Sequence, residues 1–129
     1  MTETNGVGTT LTQQVTVQDK DTVRAMLATM PPVAATPWLV GVSELACYRL
    51  AEKLLEPGMI TVGSRVVIDH LGPSKVGAVL SVEATLRERD KNKFHFVVRI
   101  QDGARTVANV EHTRAAVPMQ KMMAALSAL

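Results

Sequence analysis

One cysteine, one tryptophan, one tyrosine and two phenylalanines in 129 residues leave this chain short of several kinds of chemistry. With Cys47 alone no internal disulfide forms, and the expected compartment is a reducing one, the cytoplasm. Its setting, ELACYRL, suits a small packed hydrophobe better than a nucleophile. So few aromatic rings offer little for single-stranded bases to stack on. The 14 basic and 12 acidic residues, a formal net charge of +2, make no broad field for a polyanion. A nucleic-acid partner is therefore not expected. No uninterrupted apolar run approaches the ~20 residues of a membrane-spanning helix. The start MTETNGVGTT also lacks the basic-then-apolar order of a secretion signal, so no membrane association is expected either. No spacing of His, Cys and acid resembles a metal site, and GVG at 6–8 lacks both the preceding strand and the third glycine of a dinucleotide fingerprint. Neither a metal nor a resident cofactor is expected.

What the chain does contain reads as one domain over 1–129, with 1–8 a flexible N-terminus and 118–129 a C-terminal helix packing on an edge. TTLTQQVTV, residues 9–17, is rich in Thr and Val and reads as a first strand. KDTVRAMLATM has Val23, Met26, Leu27 and Met30 at helical spacings and PPVAATP follows as a stiff connector, which together suggest a short helix or a lid. Thr36 is a good N-cap, Pro37 suits the first helical position, and WLVGVSELACYRLAEKLL meets no breaker before Pro57-Gly58, so a helix is expected from about 37 to 55. Its first three turns are apolar almost all round, and other parts of the molecule must cover them.

The covering material follows in sequence. MITVGSRVVIDHL reads as a strand. AVLSVEATLRER alternates, with Leu80, Val82, Ala84 and Leu86 on one face; FHFVVRIQ places Phe94, Phe96, Val98 and Ile100 inward; and Asp102-Gly103 signals a tight turn into ARTVANVEHTRAAV. Four successive antiparallel strands result, and the methionines of MQKMMAALSAL are expected in the core. The fold class is α+β: a curved antiparallel sheet of about five strands wrapped around a long central helix, the element order of the hot-dog fold.

Against this apolar frame a few polar residues stand out. On strand parity His70 shares a face with Val62, Ser64, Val66 and Ile68, so the imidazole points inward with them, while Asp69 faces the other way. A lone inward His is ordinarily structural. Glu44 lies in the most apolar part of the helix, where a carboxylate is partly desolvated and needs a partner or a purpose. Together the two are the titratable pair that proton transfer requires. Thr36, about two turns before Glu44, stands roughly 80° round the helix from it, and its hydroxyl either caps the helix or meets a substrate. Gly41 and Gly63 each mark tight packing, a bulge or a ligand on bare backbone. His95 alternates opposite to two phenylalanines and is expected exposed. His112 and Arg114 share a parity on the last strand, where a surface ion pair is the ordinary reading and an anionic ligand the alternative.

ATPWLVGVSELACYRLAEKLLEPG, GSRVVIDHLGPSKVG and EHTRAAV, taken in order, resemble the hot-dog thioesterases related to fluoroacetyl-CoA thioesterase. The likeness runs from about Val23 to the last strand. It implies hydrolysis of an acyl-CoA by a Thr, Glu and His set carried onto Thr36, Glu44 and His70. Gly63 and Arg114, with His70, would contact substrate, CoA would enter only as part of that substrate, and the protein would be a homodimer or higher homo-oligomer. The segment MLATMPPVAAT carries no aromatic residue, so Met26, Leu27, Met30 and Val33 would form an apolar lid over a short or medium acyl chain. Two other readings stay open: a hot-dog hydratase or dehydratase acting on acyl thioesters, and a non-catalytic acyl-CoA-binding module in which Glu44 and His70 satisfy each other.

Overall fold

The computed structural model describes residues 5–129. Strand β1 (Thr10–Thr16) leads through a 3-10 turn at Asp19–Asp21 and a single helical turn, α1 (Val23–Met26), to the long helix α2 (Thr36–Glu52). Four strands follow, β2 (Met59–His70), β3 (Val79–Asp90), β4 (Lys93–Asp102) and β5 (Arg105–Pro118), and then helix α3 (Met119–Ser127). All five strands join one antiparallel sheet in the order β1-β3-β4-β5-β2. β3, β4 and β5 form the expected meander. β2 does not pair with its neighbour in sequence but crosses to the far side of β5, which leaves it an edge strand.

The core is the contact between the sheet and α2. Leu80, Val82, Ala84 and Leu86 of β3 and Phe94, Phe96, Val98 and Ile100 of β4 are buried on the face that alternation assigned to them. They pack against Leu39, Ala46, Cys47, Leu50 and Ala51 of the helix. The sheet covers only one side of α2. Pro37, Gly41, Leu45, Arg49 and Glu52 form an exposed stripe at three- to four-residue spacing, and Leu45 keeps 44% of its surface in solvent. The full wrapping expected from the helix composition is therefore absent from the single chain.

Two end segments differ from expectation. Of the N-terminal stretch, residues 1–4 lie outside the described residues, but 5–8 are docked rather than loose. The Gly8 amide donates to the Leu86 carbonyl at 2.8 Å, and Arg89 reaches the Asn5 carbonyl. At the other end α3 buries no residue, and Met119, Met123 and Leu126 are exposed, so these methionines are not core. No helix among the described residues is long and apolar enough to cross a membrane.

A β-bulge sets the geometry of β2. Gly63 pairs with Arg114 and Arg65 with Thr113, so Ser64 is the extra residue and side-chain parity inverts there. Val66, Ile68 and His70 face inward as expected. Val62 and Ser64 do not share their face, because the inward residues before the bulge are Thr61 and Gly63.

Candidate active site

Thr36 does not cap α2. Ala35 holds the N-cap position with extended backbone (φ −78°, ψ 141°), Thr36 is the first helical residue, and Pro37 follows it. The hydroxyl is thereby released from the helix and lies 2.7 Å from Nδ1 of His70, at the end of β2. The other ring nitrogen, Nε2, is buried and has no hydrogen-bond partner. Beside this pair the segment from α1 to α2 is strapped to the loop that follows His70. Val33 bridges Lys75, and the Ala34 amide donates to the Ser74 carbonyl at 2.9 Å. The expected lid residues Met26 (68% exposed) and Leu27 (57%) sit at the outer tip of that segment with their apolar surface uncovered.

Glu44 takes part in a different cluster. A Cβ placed on Gly63 would stand 3.1 Å from Glu44 Oε1, 3.2 Å from His112 Cε1 and 3.5 Å from Arg114 Nη1. The glycine lets three functional side chains converge on one point of β2, where any larger residue would press on Glu44 and His112. The half-buried Glu44 carboxylate makes no hydrogen bond and no ion pair among the described residues. It stands between two small clefts. One, of about 240 Å³, is lined by Glu44, Gly63, Ser64, Arg65, Val66 and His112. The other, of about 290 Å³, is lined by Gly41, Glu44, Leu45, Tyr48 and Arg114.

Arg114 and His112 are not the surface pair their strand position suggested, since both are buried. The Arg114 guanidinium donates from Nε to Thr61 Oγ1 and from Nη2 to the Thr61 carbonyl, each at 2.8 Å. Its Nη1 lies 3.1 Å from His112 Nε2, and its carbon stands 5.6 Å from the centre of the Tyr48 ring. His112 Nδ1 lies 2.8 Å from the Arg65 carbonyl. Burial holds the His112 pKa below the ordinary 6.5, with the Arg114 charge adding to it and the Arg65 carbonyl and Glu44 opposing. Burial likewise lowers the pKa of Arg114, against the pull of Glu44. Cys47, close behind, is pushed up to about 12, chiefly by burial. It is the packed thiol the sequence suggested. On the outer face of the sheet His95 is half-buried rather than exposed, with Nδ1 3.1 Å from Thr113 Oγ1.

Of the expected set, then, Thr36 meets His70, and Glu44 meets Gly63 and Arg114. These two groups do not meet within one chain. Eight residues of helix, about 12 Å of rise, separate Thr36 from Glu44. Seven residues of strand, about 20 Å, separate Gly63 from His70.

The comparisons with known proteins concern the family and the fold. A family model described as fluoroacetyl-CoA-specific thioesterase matches residues 17–120. The fluoroacetyl-CoA thioesterase of Streptantibioticus cattleyicolor is 30% identical over 124 residues, covering 92% of this chain and 89% of its own length. The chain belongs to that family. A solved structure of a fluoroacetyl-CoA thioesterase superposes with a TM-score of 0.88 at 29% identity, covering 94% of each chain. A hot-dog-like protein from Thermanaerovibrio acidaminovorans does so with a TM-score of 0.87 at 19% identity, covering 93% of this chain and 89% of that one, a likeness of fold. The hot-dog architecture and the thioesterase family expected from the residues are thus both found.

Within this thioesterase fold, sequence reasoning missed the depth of His112 and the part played by Thr61 and Tyr48. A signal existed: Ala108, Val110, His112 and Arg114 share one parity on β5, and the first two are plainly apolar. Continuing that alternation carries the histidine and arginine inward with them.

Proposed function

We propose that the protein hydrolyses a short or medium acyl-CoA thioester to free acid and CoA, at a site completed by two copies of the chain. The observation that carries this reading is the Thr36–His70 pair, an imidazole held at 2.7 Å by a hydroxyl while its second nitrogen is buried without a partner. A buried polar nitrogen left unbonded costs about 1–3 kcal/mol, so a substrate, a water or a second chain is needed to meet it. The Glu44 of the same chain lies too far away.

A homodimer supplies the missing acid. β2 is an edge strand, residues 63–67 are exposed, and the uncovered Gly41–Leu45 stripe of α2 adds apolar surface near the Glu44 end of it. A twofold axis between Val66 and Val67, inside the second half of the exposed run, would set Gly63 of one copy opposite the partner's His70. Glu44, which lies against Gly63, then reaches toward His70 Nε2. An acceptor at Nε2 would leave Nδ1 to accept from the Thr36 hydroxyl, so that a hydroxyl, an imidazole and a carboxylate form one relay.

In this site Glu44 takes a proton from the attacking water, whose oxygen adds to the thioester carbonyl. The negative charge that develops on the carbonyl oxygen faces the first-turn amides of α2 at Thr36 and Trp38, for which no acceptor is found among the described residues. The carbon–sulfur bond then breaks, and His70 passes its proton to the leaving thiolate while receiving the one Glu44 took from the water, which restores both groups. Gly63 and Arg114 contact the substrate beside Glu44. The exposed Met26, Leu27 and Met30 receive the acyl chain, so each added methylene should raise kcat/KM by roughly fourfold while it remains in the apolar lid. A CoA-ester substrate and a lone cysteine both fit the cytoplasm.

The test is a panel of acyl-CoAs with free thiol followed over time, for the wild type, Glu44→Ala and His70→Ala. Each variant should lose on the order of 100-fold or more in rate. Thiol release unchanged in both would refute the assignment, and consumption of an enoyl-CoA without thiol release would favour hydration instead.

A further inference from the structure

We infer that His112 is a positioning residue for this site, anchoring Arg114 so that the guanidinium stays beside Glu44 without pairing to it. The inference rests on the thioesterase reading above and adds a residue to it.

Hydrogen-bond chemistry assigns the tautomer. The Arg65 carbonyl can only accept, so Nδ1 of His112 carries the proton of the 2.8 Å bond. A guanidinium can only donate, so Nε2 is a bare lone pair accepting from Arg114 Nη1 at 3.1 Å. Both bonds exist together only in the neutral Nδ1–H imidazole. Burial and the Arg114 charge on β5 act in the same direction, keeping a second proton off the ring. Glu44 from α2 acts against them. Cys47, the other titratable group on that helix face, is uncharged, and the residue opposite on β4 is Phe96.

With His112 in place, three of the five N–H groups of Arg114 are committed, two to Thr61 and one to the imidazole. The remaining two are free to meet a substrate oxygen in the cleft lined by Arg114, Glu44, Tyr48 and Gly41. Thr61 holds the guanidinium along one edge only. Without the imidazole on the other side, the attraction between opposite charges would draw it onto the unpartnered Glu44 carboxylate. Such a pair would consume both the arginine donors and the proton acceptor. Among the described residues no ion pair joins Glu44 to Arg114.

Two near-isosteric substitutions separate positioning from mere packing. In His112→Asn the amide nitrogen stands where Nδ1 stood and keeps the Arg65 bond, but the acceptor for Arg114 is lost. In His112→Gln the longer side chain brings its carbonyl oxygen to the place of Nε2 and keeps the acceptor, giving up the Arg65 bond. A role confined to the Arg65 bond makes Asn the milder change, whereas positioning makes Gln the milder one in KM; packing alone, which Gln also fills better, would show in Tm with KM unchanged. Kinetics with acetyl-CoA and butyryl-CoA, and Tm for each variant, decide between them. H112N should raise KM on the order of tenfold, the loss of one charge-assisted hydrogen bond, with H112Q restoring it to within about threefold. Equal losses in both variants that follow their Tm, or wild-type KM in both, would overturn the inference. A wild type that cleaves no acyl-CoA would defeat the thioesterase reading instead. Calorimetric titration with CoA alone then decides the inference, by whether affinity falls in H112N and returns in H112Q.

Discussion

Glu44→Ala and His70→Ala chains, each inactive alone, should restore activity when they share a dimer. Helix α2 rises about 12 Å between Thr36 and Glu44, and β2 runs about 20 Å from Gly63 to His70. No rotamer of a glutamate spans such a gap, so a relay containing both groups draws them from different chains. In a mixed dimer one site takes its histidine from the first variant and its glutamate from the second and is intact, while the other site lacks both. Equal amounts of the two chains, combined at random, give half mixed dimers and therefore about a quarter of wild-type sites. The homodimeric parents should stand at roughly 1% or below. Differently tagged chains expressed together and purified over both tags are mixed dimers alone, so thiol release from them should stand at about half of the wild-type rate. A complementary arm mixes wild type with the double variant: a shared site leaves about a quarter of the wild-type rate and a one-chain site about half. Mixed dimers no more active than their parents, with both variants folded and dimeric, would refute the composite site.

Gly63→Ala places a methyl within 3.1–3.2 Å of Glu44 Oε1 and His112 Cε1. Because these are side chains and not backbone, the fold should survive with a small change in Tm while kcat/KM falls at least about tenfold. Retained kcat/KM would show that the convergence is not needed. Cys47, buried and pushed up to about 12, should resist a thiol reagent at pH 8 in the native protein and react at once in denaturant; rapid native labelling would contradict its packing. Stability should also depend on His112. Its pKa is lowered on folding, so below pH 6.5 the unfolded chain binds the proton first, and stability is lost as the pH falls from 6.5 through the folded value. At most this group contributes a slope of about 1.4 kcal/mol per pH unit. Denaturant titrations from pH 7.5 to 5 should show that loss, and a shallower one in H112Q; identical slopes would argue against a neutral buried ring.

Much of the architecture was legible because alternation is a strong signal where one face of a sheet is buried. Leu80 to Leu86 and Phe94 to Ile100 are on the core face that their spacing implied. Alternation says nothing of which strand lies alongside, and the passage of β2 across to β5 was invisible for that reason. Thr36 read as a cap because that is what Thr before Pro commonly does, but a one-residue shift of the helix start gave its hydroxyl to His70. His112 and Arg114 looked like surface residues because charge is normally solvated. Here Thr61, the Arg65 carbonyl and the two residues themselves supply the bonds that make burial tolerable. The exposed stripe of α2 illustrates another limit. Its apolar composition demanded cover, and nothing in a single sequence distinguishes cover by the same chain from cover by a second copy.

The extra residue at Ser64 constrains how this family can vary. Gly63 and His70 are an odd number of positions apart, and on a regular strand they would look to opposite sides; the bulge turns both toward the helix. Loss of Ser64 itself would only remove the bulge and leave both on one face, whereas loss of any other residue between them with the bulge kept would turn either the glycine or the histidine out to solvent. Descendants that lengthen or shorten this stretch while remaining active should therefore do so two residues at a time, or gain or lose a bulge with each single residue.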